Sequence, residues 1–157
     1  MASRLVPRQV APGAYRALSE VQKYVDGCGL EHRLIELVKL RASQINGCAW
    51  CIDMHTKDAR SAGETEQRLY LLSAWRECSF YTDRERAALA WTEAVTTIAD
   101  GEVPDDVYDA ALTAFSEEGL VDLNVAVIAI NSWNRMNVPF RVPPGDYQPK
   151  VQAPGGS

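Results

Sequence analysis

Apolar residues recur along the chain at helical spacing, in stretches separated by short polar or glycine-containing breaks. Tyr15, Leu18, Val21 and Val25 fall on one face of a helix that Asp26-Gly27-Cys28-Gly29 ends. Leu34, Leu37, Val38, Arg41 and Ile45 repeat the spacing from about Glu31 to Ile45, and Asn46-Gly47 is a turn pair that stops it. A third helix is expected from Cys48 to Ala62, with Gly63 as its stop. Cys48, Cys51, Ile52, His55, Ala59 and Ala62 form its inward stripe, and Asp53, Lys57, Arg60 and Ser61 its solvent face. Leu69, Leu72 and Trp75 mark a fourth helix over Glu64 to Glu77. Thr82 followed by Glu85 is a capping box, which opens a helix with Ala88, Trp91, Ala94, Val95 and Ile98 on its apolar side, closed by Asp100-Gly101. Pro104-Asp105-Asp106 suits a helix start and leads through Val107, Ala111 and Phe115 to an end at Glu118-Gly119.

From Leu120 onward, Leu123 and the run from Val125 to Ile130 are apolar on all sides. A buried strand would fit the run by itself. Its continuation without a breaker as far as Pro139, after six helices and no partner strand, predicts a helix instead. A helix apolar all round has to be covered all round, which predicts the centre of a bundle or a subunit interface. The fold class is therefore all-α, about seven helices over residues 14–140, and oligomeric. Residues 1–13, with Pro7, Pro12 and Gly13, read as an extended arm; residues 141–157, with Pro143, Pro144, Pro149 and Gly155, read as a tail.

Composition narrows the function. A chain of 157 residues, 46% hydrophobic and 24% charged, is one domain with enough core to dispense with disulfide staples. A net charge of -5 provides no basic field for nucleic acid. The first residues lack the apolar run of a secretory signal and no stretch is long enough to span a bilayer, so no membrane association and a cytoplasmic location are expected. In a reducing compartment, the Cys-x-x-Cys of Cys48 and Cys51 points to redox chemistry or metal ligation, whereas Cys28 and Cys78, far from it, read as small buried hydrophobes.

The first turn of a helix favours thiolates through its free N–H groups and partial positive charge. Two cysteines three apart there bring their Cα atoms within reach of a disulfide. His55, one turn beyond Cys51, can reach back toward its sulfur and accept its proton, and Glu36 can orient the imidazole. Glu36 lies in the apolar run Ile35-Glu36-Leu37-Val38, which makes it either partly buried or paired with Lys39 on the exposed side. Other readings stand beside this one: zinc bound by Cys48, Cys51, His55 and a carboxylate, or inert packing of the three. His32 has no apparent partner and reads as a surface residue; Trp50 suits core, pocket wall or interface; Asn131, Trp133, Asn134 and Arg135 read chiefly as structural.

Glu36, eleven residues, Cys48, two residues, Cys51, three residues, His55 resembles the motif of the alkylhydroperoxidase D-like (AhpD-like) branch of the carboxymuconolactone decarboxylase-like superfamily. Met54 to Arg60, Gly63-Glu64 and Asn131 to Arg135 also look like its members, and the resemblance covers about Tyr15 to Phe140. It implies an AhpD-like helical bundle assembled as a homotrimer or homohexamer. It further implies reduction of a hydroperoxide, with Cys51 attacking, Cys48 resolving, and His55 with Glu36 relaying protons. A dithiol reductant, a lipoyl domain or a thioredoxin-like protein, would restore the pair, and no cofactor is required. One position departs: the branch's best-known peroxidases have a histidine before the second cysteine, and Trp50 stands here. The decarboxylase proper lacks the cysteine pair, which argues against lactone decarboxylation.

Overall fold

The computed structural model describes residues 2–149, among which there are eight α-helices and no strand. They are α1 Pro7–Val10, α2 Pro12–Gly27, α3 His32–Asn46, α4 Ala49–Ser61, α5 Glu66–Leu71, α6 Asp83–Thr96, α7 Asp105–Ala114 and α8 Glu117–Asn137. Short 3-10 turns follow α5 (Leu72–Glu77) and α6 (Ile98–Asp100). The all-helical class stands.

The expected arm departs from an extended course. A helical turn forms at Pro7–Val10, and α2 starts at Pro12 rather than Tyr15, because proline at the first helical position has its φ preset and loses no needed N–H there. Arg4 anchors the start of the chain to the end of α8, donating through its backbone N to Phe140 O at 3.0 Å and through Nη1 to Pro139 O at 2.9 Å. The expected fourth helix changes character at Leu72, where the backbone tightens into a 3-10 turn kinked at Ala74, while Leu72 and Trp75 still face the core. The Thr82–Glu85 capping box forms with both of its bonds. The helix expected from Pro104 to Glu118-Gly119, α7, ends earlier, at Ala114. Ser116 Oγ accepts from Gly119 N at 3.0 Å and caps a new helix whose first turn holds Glu117 and Glu118, so Glu118-Gly119 opens α8 instead of closing α7.

Within the single chain the helix covered on every side is α3, so the bundle-centre alternative for α8 is not what the chain adopts. Each residue from Leu34 to Leu40 is buried, and α3 packs against α4, α6 and α8. Leu34 and Val38 join Ala88, Trp91, Phe115, Leu123 and Val127 in one part of the core, and Leu37 and Leu40 join Leu69, Leu72, Trp75 and Leu89 in another. Within a single chain α8 buries only part of its circumference, because α2, α3 and α6 cover one side; Val121 is 60% exposed and Ile128 49%. After α8 the chain turns back, and residues 145–147 lie along α4; residues 150–157 of the expected tail lie outside the described residues. No helix among the described residues is long and apolar enough to cross a membrane.

Candidate active site

The site is built on the turn between α3 and α4. Gly47 adopts a left-handed conformation (φ 65°), which glycine enters without steric penalty. Its N–H reaches Gln44 O at 3.3 Å, and the next N–H, of Cys48, reaches Ser43 O at 3.0 Å. These two bonds form a Schellman closure that satisfies the last carbonyls of α3 and reverses the chain within two residues. Cys48 thereby becomes the N-cap of α4, and Cys51 its third residue. Asn46 is tied to α8, its Nδ2 donating to Asn131 Oδ1 (3.0 Å) and Asn134 Oδ1 (2.8 Å), while Asn134 Nδ2 donates to Ser43 Oγ at 3.1 Å. The polar cluster at the end of α8 thus holds the turn that presents the thiols.

Cys48 and Cys51 are buried, with Cα atoms 5.3 Å apart and sulfurs at bonding distance. They pack with Ala42 and Ile130, and Trp50 and Trp133 flank them. His55, one turn along the same stripe, is buried and holds its Nδ1 2.8 Å from Glu36 Oε2, the carboxylate arriving from α3. Glu36 Oε1 accepts from Lys39 Nζ at 3.2 Å. Glu36 is 2% exposed and Lys39 6%, so the alternatives of burial and pairing with Lys39 are both realised, and the pair is buried rather than solvated. His32 is largely exposed but has a partner after all: its Nε2 stands 4.0 Å from Glu36 Oε1, one turn away on α3.

Burial pushes the Glu36 carboxyl up, but the hydrogen bonds from His55 and Lys39 and the Lys39 ammonium outweigh it and hold the group down at about 2. At neutral pH Glu36 is therefore a carboxylate that can only accept. That assigns the His55 tautomer: Nδ1–H donates to Glu36, and the lone pair able to take a thiol proton is on Nε2. All four residues anticipated for the site, Cys48, Cys51, His55 and Glu36, belong to this one α3–α4 unit.

Further groups reach the site without having been anticipated. Asn137, on the last turn of α8, donates from Nδ2 to Cys51 Sγ at 3.4 Å. Asp58 lies three residues beyond His55, and ligand-type atoms of Glu36, His55 and Asp58 fall within 4.8 Å of one another. Among the described residues these three converge as groups of metal-ligand type. Tyr147 donates its phenol to Asp58 Oδ1 at 2.7 Å, and burial together with the Asp58 carboxylate pushes its pKa well up, so it stays protonated and a donor. The i,i+3 spacing of His55 and Asp58 was a signal available in the sequence. Nothing comparable marked Asn137 or Tyr147.

The Carboxymuconolactone decarboxylase family pattern matches residues 12–94, which include α3, α4 and the whole Cys48–Cys51–His55–Glu36 group. The chain belongs to the carboxymuconolactone decarboxylase family. The uncharacterized protein YdfG of Bacillus subtilis (strain 168) is similar, 44% identical over 138 residues that span 88% of this chain and 94% of that protein. Among solved structures, ATU0492 from Agrobacterium tumefaciens superposes with a TM-score of 0.90 at 46% identity, over 93% of this chain and all of that one. It is described as a protein of unknown function, provisionally assigned to antioxidant defence as AhpD, and this member of the carboxymuconolactone decarboxylase family has the same AhpD-like fold. The debrominase Bmp8 has the same fold at 20% identity and a TM-score of 0.77, over 86% of this chain and 73% of that one.

Proposed function

We propose that this protein is an enzyme of the peroxidase type, which reduces hydroperoxides through a cycle between the Cys48–Cys51 dithiol and its disulfide. The observation that carries the reading is a pair of buried sulfurs at bonding distance on the helix whose next turn presents a buried histidine held through Nδ1 by a carboxylate. In the proposed cycle His55 Nε2 takes the Cys51 proton. The thiolate attacks the hydroperoxide: an S–O bond forms, the O–O bond breaks, and the alkoxide leaves with the proton from His55, giving Cys51 sulfenic acid and an alcohol. Cys48 condenses with the sulfenic acid, forming the disulfide and releasing water. A dithiol reductant, carried on a lipoyl or thioredoxin-like protein, then exchanges with the disulfide, restoring both thiols and leaving oxidised itself. Glu36, fixed as a carboxylate, stabilises the imidazolium formed in the first step, and no cofactor enters.

A reversible thiol pair of this kind suits a reducing compartment, and we assign the protein to the cytoplasm. The exposed Val121 and Ile128 on α8 support self-association as a homotrimer or homohexamer. The fold also serves a debrominase, so peroxide is the substrate to be tested first.

The test is hydroperoxide consumption with a dithiol reductant for wild type, Cys48→Ser and Cys51→Ser. Cys51→Ser is expected at the enzyme-free rate. Cys48→Ser should be arrested after one turnover with a sulfenic acid on Cys51. Mild peroxide on the wild type should remove two hydrogens, confined to the peptide holding Cys48 and Cys51. Equal rates in all three proteins would refute the assignment.

A further inference from the structure

Both thiols and His55 are shut away from solvent, yet any reaction of the pair needs a path to sulfur. Two aromatic contacts flank the pair. Trp133 packs on the cluster that holds the cysteines and meets Tyr15 of α2 edge-on, with ring centroids 4.9 Å apart. Trp50 also packs on that cluster and meets the ring of Tyr147 edge-on at 6.3 Å. Tyr15 is held within the helical bundle by its place on α2, which packs against α8. Tyr147 is held differently, by a segment after the last helix that is fastened to α4 through polar contacts. Lys57 Nζ donates to Gly145 O (3.0 Å) and Tyr147 O (3.1 Å), Gly145 N donates to Asp53 Oδ2 (3.0 Å), and the Tyr147 phenol donates to Asp58 Oδ1. Gly145, at φ 118°, allows the turn that sets this segment down. Asp58 in turn adjoins His55 and Glu36. Tyr147 lies outside residues 12–94, so the family pattern assigns it nothing.

We propose that Tyr147 is a specificity-determining residue of the dithiol site: braced on Trp50 and anchored to Asp58, it admits slender, low-molecular-weight reactants to the sulfurs and excludes bulky ones. This rests on the reading of Cys48 and Cys51 as a reactive pair. A segment held by a handful of polar contacts opens at far lower cost than a packed helix, so Tyr147 is the side on which width is selected. The phenol acts through its neighbours and makes no contact with either sulfur.

The test uses the reduced full-length protein and compares alkylation of Cys51 by iodoacetamide with alkylation by a polyethylene-glycol maleimide, each followed by peptide mass so that Cys28 and Cys78 are counted separately. In wild type the maleimide is expected to lag far behind at Cys51. Tyr147→Ala, which removes both the ring against Trp50 and the bond to Asp58, should raise the maleimide-to-iodoacetamide rate ratio roughly tenfold or more. Tyr147→Phe, which keeps the ring and loses the bond to Asp58, should raise it by a smaller factor, and Tyr15→Ala should leave it unchanged. If Tyr147→Ala does not fold, Lys57→Met, which frees two carbonyls of the segment, carries the same expectation. An unchanged ratio in the folded Tyr147 or Lys57 variants, or an equal rise in Tyr15→Ala, would overturn the proposal. Alkylation requires neither peroxide nor a disulfide, so a protein inert toward hydroperoxide still reports on Tyr147. Conversely, an unchanged ratio leaves any measured peroxide consumption standing.

Discussion

Glu36→Gln keeps the shape of the side chain and removes its charge, and the consequence is a loss of stability with a specific pH dependence. The carboxyl is lowered from 4.5 to about 2, and at about 1.4 kcal/mol per unit this amounts to about 3 kcal/mol of stabilisation. Removing one partner from a buried ion pair independently costs about 3–5 kcal/mol, which agrees in scale. Little discount for solvent is needed, since Glu36 and Lys39 are both buried. The folded state binds this proton less readily than the unfolded chain. The stabilisation is therefore complete above the unfolded value and is lost as pH falls from about 4.5 toward about 2, with about half remaining at pH 3. Glutamine does not titrate, so the gap between the two proteins isolates this group. Urea denaturation at pH 7 should show Glu36→Gln less stable by about 3 kcal/mol with an unchanged m-value, and a melting point lower by about 6–12 °C. At pH 3 the gap should be halved. In a double-mutant cycle, Lys39→Met should cost less in the Glu36→Gln background than alone, because its buried charge has already lost its partner. A gap under about 1 kcal/mol at pH 7, or one that does not move between pH 7 and pH 3, would refute the reasoning.

Two further outcomes follow from single contacts. Asn137→Leu removes the donor to Cys51 Sγ, and should raise the pH midpoint of Cys51 alkylation in the reduced protein by about one unit. A midpoint that stays in place would remove Asn137 from the account of thiol reactivity. Gly47→Ala puts a Cβ on a left-handed residue and should cost about 1–2 kcal/mol in denaturant unfolding, although nothing lies within 4 Å of the added atom. A neutral substitution there would mean that the turn relaxes to another conformation.

The stripe Cys48, Cys51, His55 was legible in the sequence because helical periodicity is local: residues three and four apart share a face wherever the helix is placed. The stops at Gly47 and Gly63 and the Thr82–Glu85 box were legible for the same reason, since each is closed by bonds within six residues. Glu36 could be anticipated as a residue of the site from its spacing to Cys48 within a resemblance, but its burial could not. Whether a polar side chain in an apolar run is solvated depends on what packs over it, and here α4, α6 and α8 enclose α3. The same tertiary fact buried Lys39, whereas the contact of His32 with Glu36 is local, one turn apart on α3. Packing also left Val121 and Ile128 of α8 open in the single chain, where composition alone had favoured cover on every side.

Asn137 and Tyr147 mark the limit of local reading. They reach Cys51 and Asp58 from 86 and 89 residues away, over distances in sequence at which no periodicity carries information. Local pattern carried the all-helical class and the shared face of Cys48, Cys51 and His55, because these follow from backbone geometry and short spacings, whereas Glu36 entered through a resemblance. Packing of the whole chain is what buries Glu36 with His55 and Lys39 and holds it ionised, brings a donor at the end of α8 to a sulfur, and sets Tyr147 against Trp50, because burial and long-range contact are properties of the packed chain and not of any segment.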